Sequence, residues 1–92
     1  MNHEDEERLR RWMRTGSLKE AREWLDKALE KAPEDDALHF WKGNLCRHTG
    51  QHGKALEHYA VATELNPESP ARQARSMLMD ILCFYDKERY NV

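Results

Sequence analysis

Long apolar runs are missing from this 92-residue chain, and no stretch approaches the ~18–20 apolar residues that cross a bilayer. With a mean hydropathy of -1.01, that absence argues against a membrane protein. The opening MNHEDEERLRR is charged throughout and lacks the apolar centre of a signal peptide, so a cytoplasmic protein is expected. Cysteine is scarce. Cys46 and Cys83 could pair only once, which is no disulfide framework. Both read as reduced, semi-buried small apolar residues. An excess of basic charge is also absent: 15 Lys and Arg against 17 Asp and Glu leave a net charge of -2. That balance offers no general attraction to nucleic acid or to an anionic membrane surface.

Catalytic patterns are equally thin. KGNLCRHTGQHGK carries Gly43, Gly50 and Gly53 without the strand or spacing of a phosphate cradle. Ser17 and Ser69 sit where helix caps are expected, and Ser76 falls mid-helix with no neighbouring base. In CRHTGQH, Cys46, His48 and His52 are soft-metal ligand types, but structural zinc needs four ligands in a tetrahedral array. His58 lies a turn and a half beyond His52, with nothing in the spacing to make it converge. A pairing of Cys46 with His48 or His52 as nucleophile and base would have to arise in space. The expectation is no enzyme activity, no metal and no cofactor.

What the chain does have is an internal echo. At a step of 34, Thr15 matches Thr49, Gly16 matches Gly50, Ala21 matches Ala55 and Glu23 matches Glu57. The register continues through Ala28 and Ala62, Glu30 and Glu64, Pro33 and Pro67, Glu34 and Glu68, and Ala37 and Ala71. A fixed period of this length signals a repeat architecture.

The punctuation of each repeat reads as paired helices. Gly16 and Gly50 can take the left-handed conformation that ends a helix. Ser17 with Glu20 three residues on makes a capping box, and Pro33 and Pro67 stop the second helix of each pair. Ser69 before Pro70 reads as a cap followed by proline at the first helical position. Five helices are predicted, at roughly 4–14, 18–31, 36–48, 52–65 and 70–88, within a single domain. Leu18, Ala21, Leu25, Ala28 and Leu29 share one face, as do Ala74, Leu78, Ile81 and Tyr85. The first helix is poorer in apolar residues but carries Glu4–Arg8, Glu6–Arg10 and Glu7–Arg11, each worth ~0.2–0.5 kcal/mol when formed. Ala21 with Ala28, and Ala55 with Ala62, would let antiparallel helices approach closely, with Leu25 and Tyr59 filling the space between.

This pattern resembles the tetratricopeptide repeat. The better match is DALHFWKGNLCRHTGQHGKALEHYAVATELNP, with Gly43, Gly50, Ala55, Tyr59, Ala62 and Pro67 on the signature places. Lys42 stands where leucine is usual and Cys46 where an aromatic is usual. The first repeat, with Gly16, Ala21, Ala28 and Pro33, is weaker at its start, where Leu9 replaces a small residue. The resemblance implies an all-α, right-handed superhelical stack of antiparallel helix pairs. Residues 4–33 and 36–67 would be the two repeats and 69–90 a capping helix, since a stack needs a lid over its last apolar face. It also implies a non-enzymatic module that binds a protein or peptide in the groove lined by the first helix of each pair.

Carried onto this chain, the family's groove places give Glu6, Arg10, Met13 and Arg14 from helix 1. Helix 3 gives Phe40, Asn44, Arg47 and His48, and helix 5 gives Ala74, Leu78 and Ile81. Arginine suits bidentate capture of carboxylate, so one expected partner is a peptide with an acidic side chain or a C-terminal carboxylate. The other reading of these arginines is a solvated, salt-paired face. The family's carboxylate clamp is not reproduced: Arg75 holds one of its places, but Glu6, Arg10, Trp41 and Ala71 stand at others. Two further alternatives stay open. The tail residues Phe84, Tyr85 and Tyr90 either cap the core or present a patch for self-association, a monomer being the expectation. RLRRWMR is locally basic and would suit a nucleic-acid adaptor, but EDEE before it cancels the charge.

Overall fold

A computed structural model describes the backbone of residues 2–90 and the side chains of residues 2–82. Cys83, Phe84, Tyr85 and Tyr90 lie outside the described side chains. Among the described residues five helices follow in order: α1 (His3–Thr15), α2 (Leu18–Lys31), α3 (Asp36–His48), α4 (His52–Leu65) and α5 (Ala71–Tyr90). Among the described residues there is no strand. The radius of gyration, 13.9 Å, exceeds the roughly 12 Å of a round domain this size, as a stack of helix pairs should.

The 34-residue register of the sequence reappears in the hydrogen bonds that turn the chain. Gly16 and Gly50 have φ of 83° and 81°, the left-handed region that a Cβ disfavours. The next amide closes each helix: Ser17 N–H donates to the Trp12 carbonyl at 2.9 Å, and Gln51 N–H to the Cys46 carbonyl at 2.8 Å. Thr15 and Thr49 hydroxyls donate to the carbonyls of Arg11 and Leu45. After the second helices, Ala32 N–H reaches the Ala28 carbonyl and Asn66 N–H the Ala62 carbonyl, both at 2.9 Å. Asp35 then caps α3 by accepting from Ala37 N–H at 3.0 Å, and Ser69 caps the start of α5 by accepting from Ala71 N–H at 3.1 Å. Each such cap is worth ~1 kcal/mol.

Three local expectations need correction. Ser17 makes no side-chain cap, so the capping box does not form. Ser17 serves as the closing residue of α1 and the cap of α2 at once. Its ψ of 58° is not the extended geometry a capping side chain needs, and its hydroxyl instead lies 3.4 Å from that of Thr15. In α1, Glu6 pairs with Arg10 at 3.1 Å as expected, whereas Glu7 is taken by His3, also at 3.1 Å. Ile81 turns outward, 50% exposed. The face of α5 turned to the core runs instead through Ala71, Ala74, Leu78 and Leu82.

Two apolar clusters hold the stack. The first joins Leu9 of α1, Ala21 and Leu25 of α2, and Leu38, Trp41 and Leu45 of α3. The second joins Cys46 of α3, Ala55, Tyr59 and Ala62 of α4, and Ala71 and Leu78 of α5. Phe40 packs against both, edge-on to Trp41 and tilted against Tyr59, with centroids 5.7 and 6.1 Å away. Ala21, Ala55 and Ala62 are fully buried, and Ala28 is half-buried. At Gly43 of α3 the partner helix α4 comes so near that a Cβ would lie 2.5 Å from Tyr59 Cε1. Lys42, the departure from the family pattern, has a use: its ammonium reaches back to Asp26 of α2 at 2.6 Å.

Candidate functional site

Helix α1, helix α3 and the chain leading into α5 share one face of the stack. A hollow of about 170 Å³ opens there, lined by Glu6 of α1, Asp36, Ala37, Phe40 and Trp41 of α3, and Ser69 and Pro70. Its floor is aromatic because Phe40 and Trp41 project from α3 between the two core clusters. Its rim is acidic because α3 starts with Asp36, a favourable place for a carboxylate beside the helix N-terminus. Asp36 also accepts from the Asn66 side-chain amide at 3.2 Å, tying α3 to the loop before α5.

Beside this hollow, Glu7, Arg10, Arg11 and Arg14 surround a second depression of about 230 Å³ on α1. Arg10 joins the two: it pairs with Glu6, and its guanidinium carbon lies 5.8 Å from the Trp41 ring centroid. That distance is within the range of a cation–π contact.

The residues expected from the sequence are therefore distributed unevenly. Arg10 and Arg14 are exposed and share the arginine depression, and Phe40 lines the aromatic hollow. Met13 is half-buried and packs against the first core cluster. Arg47 is exposed but lines neither hollow. Asn44 and Leu78 are buried, 9% and 2% exposed. Asn44 accepts the Tyr59 hydroxyl at 2.5 Å, so its side chain is committed to the α3–α4 joint. Glu6, Trp41, Asp36 and Ser69 complete the face. Of these only Glu6 stood among the groove residues expected from the sequence, with Trp41 at a place of the carboxylate clamp, and nothing in the linear order sets Ser69 beside Glu6.

The opposite side of α3 carries different chemistry. His39 Nε2 donates to the Pro33 carbonyl at 2.8 Å, leaving Nδ1 to meet His58 Nδ1 of α4 at 3.3 Å. Burial lowers the His58 pKa below its ordinary value, and the neighbouring His39 and Lys42 side chains add to the effect electrostatically. Cys46 is buried and free, and burial raises its thiol pKa. The Tyr59 phenol is raised for the same reason, opposed by Arg47. Among the described residues, no three His, Cys, Asp or Glu converge to hold a metal ion, and no helix is long and apolar enough to cross a membrane.

The repeated helix pairs, with their small-residue core, match a known sequence pattern. The tetratricopeptide repeat model covers residues 13–78. The chain belongs to the tetratricopeptide repeat family. Family members are in general protein-interaction scaffolds rather than enzymes. A solved relative supports the fold of this tetratricopeptide repeat protein: the solution NMR structure of a Bacteroides fragilis protein superposes with a TM-score of 0.79. The two are 41% identical, over 92% of this chain and 87% of that one. No curated protein matches.

Proposed function

We propose that this repeat protein binds a peptide segment of a partner protein across the face made by α1, α3 and the start of α5. Acidic side chains or a terminal carboxylate of that peptide are held by the arginines of α1. The observation that carries this reading is the grouping of Arg10, Arg11 and Arg14 around one depression, with Arg10 pairing to Glu6 at the edge of the aromatic hollow. Three guanidiniums crowded around one depression repel one another; Arg10 is offset by Glu6, while Glu7, the one acid lining the depression, already meets His3. A carboxylate can take two parallel hydrogen bonds from a guanidinium fork, so an acidic segment relieves that repulsion. The depressions are shallow and solvent-reached, which fits modest single-site affinity.

The test is a titration of C-terminal and internal acidic peptides against the protein and against the Arg11→Glu/Arg14→Glu variant, followed by fluorescence anisotropy. Both arginines are exposed; with the variant's helix content checked by circular dichroism, acidic peptides lose binding. Undiminished binding to the variant rules out the arginine depression.

A second reading is self-association through α5. Met77 and Ile81 lie one turn apart and are 62% and 50% exposed, an apolar pair on the helix that ends the stack. Sedimentation over a range of concentrations separates the two: a mass that stays monomeric at high concentration rejects this alternative.

A further inference from the structure

The arginines of α1 explain the negative end of a bound peptide but not the hollow next to them. That hollow has the opposite character. Its lining holds two carboxylates, Glu6 and Asp36, two aromatic rings, Phe40 and Trp41, and no Lys, Arg or His. An acidic side chain placed there would face two like charges across a few ångströms. A basic side chain would meet two carboxylates beside two aromatic rings, groups that attract a cation. The protein already makes this match with its own residue: Arg10 reaches toward the hollow, pairs with Glu6 and lies over Trp41. Asp36 gives one carboxylate oxygen to Asn66, and a carboxylate has acceptor capacity beyond a single bond. At about 170 Å³ the space falls below the ~300 Å³ at which small-molecule sites begin, which suits a single side chain.

We propose that this hollow receives one lysine or arginine side chain of the partner peptide, so that the recognised segment carries both signs in a fixed order. This rests on the peptide-binding reading above and adds a specificity to it. The spacing follows from the helix. Glu6 to Arg14 spans eight residues at 1.5 Å each, about 12 Å along α1. An extended peptide advances ~3.3–3.6 Å per residue. A basic residue in the hollow therefore places an acidic one at the arginines about three residues away. Arg10 vacates Trp41 when the partner cation arrives and turns to the peptide carboxylate, so the two halves of the site act together.

The probe is an array of nine-residue peptides in a Gly/Ser background. Each carries one lysine and two adjacent glutamates at every separation, with matched peptides bearing acetyl-lysine. The proposal expects binding to peak at a separation of about three residues and to fall about fivefold on acetylation. Asp36→Asn should reduce that acetylation effect, because one of the two carboxylates that meet the lysine is then an uncharged amide. Its carbonyl oxygen can still accept from Asn66, and an unchanged melting curve checks that the fold is kept. Acetylated and unmodified peptides binding the native protein equally well would overturn the proposal. If that binding still depends on Arg11 and Arg14, the carboxylate reading survives and only the basic-residue specificity falls. Acetylation-sensitive binding that ignores Arg11→Glu/Arg14→Glu supports the hollow and removes the arginine reading. No binding by any peptide of the array removes both.

Discussion

Replacing Gly43 by alanine adds one methyl group at the crossing of α3 and α4, and the structure sets what it meets. The new Cβ would stand 2.5 Å from Tyr59 Cε1 and 2.6 Å from Cδ1, well inside van der Waals contact. The ring has little room to retreat. Tyr59 is fully buried, its hydroxyl is bonded to Asn44, and Phe40 packs beside it. Overpacking of this kind costs ~1–3 kcal/mol, and the pinned ring places Gly43→Ala in the upper part of that range. Alanine regains ~0.8–1 kcal/mol of helix propensity. The net loss is then about 1–2 kcal/mol, which in a domain this size lowers the melting temperature by roughly 5–15 °C. Gly53→Ala is the control, because nothing lies within 4 Å of the methyl group it adds; its stability should equal or exceed that of the native chain. Urea unfolding followed by circular dichroism reads both. In a cycle with Tyr59→Leu, the two changes should be strongly non-additive, since the smaller side chain removes the clash. Gly43→Ala unfolding at the same urea concentration as Gly53→Ala would refute the claim that close approach at this crossing holds the repeat together.

Other expectations can be checked with the same material. Tyr59→Phe leaves the buried Asn44 carbonyl oxygen without its donor and should cost about 1–3 kcal/mol in urea unfolding. The lowered His58 pKa means the unfolded chain binds a proton more readily than the folded one. Stability is therefore full above pH ~6.5, and is lost as pH falls through that value toward the folded pKa. His58→Gln should flatten this part of the melting-temperature profile between pH 7 and 5. The buried, pKa-raised Cys46 thiol should resist a water-soluble thiol reagent in a Cys83→Ser background and react at once in denaturant; rapid labelling of the folded protein would contradict its burial.

How much of this was legible in the sequence depended on whether the cause was local. The ends of α2, α3 and α4 fall where Gly16, Pro33, Gly50 and Pro67 put them, because a left-handed glycine and a proline stop a helix without help from tertiary structure. Ser69 was readable as a cap for the same reason. Helix α1 runs one residue further at each end than expected. The Asn2 side chain, accepting from Asp5 N–H at 2.8 Å, caps it. The Ser17 box failed where two local signals competed, and the tight turn closing α1 prevailed over the cap of α2. The apolar face of α5 was read one position off at Ile81, since its true line is fixed by α4, which no periodicity within α5 contains. At the candidate site, Arg10, Arg14 and Phe40 were found by their register in the repeat. Asn44 and Leu78 share that register but face inward, because the Tyr59 hydroxyl needs an acceptor and α5 needs an anchor. The His39–His58 contact and the meeting of Glu6 with Ser69 join residues far apart in the chain, and only packing brings them together.

The most direct test of the central claim is a ¹⁵N–¹H NMR titration with the best peptide of the lysine–glutamate array. The account predicts shifts concentrated at the Trp41 indole N–H and at the amides of Glu6, Arg10, Ala37 and Ala71, with α2 and the far side of α4 unmoved. Saturable shifts confined to α2 and α4, with Trp41 unchanged, would contradict it.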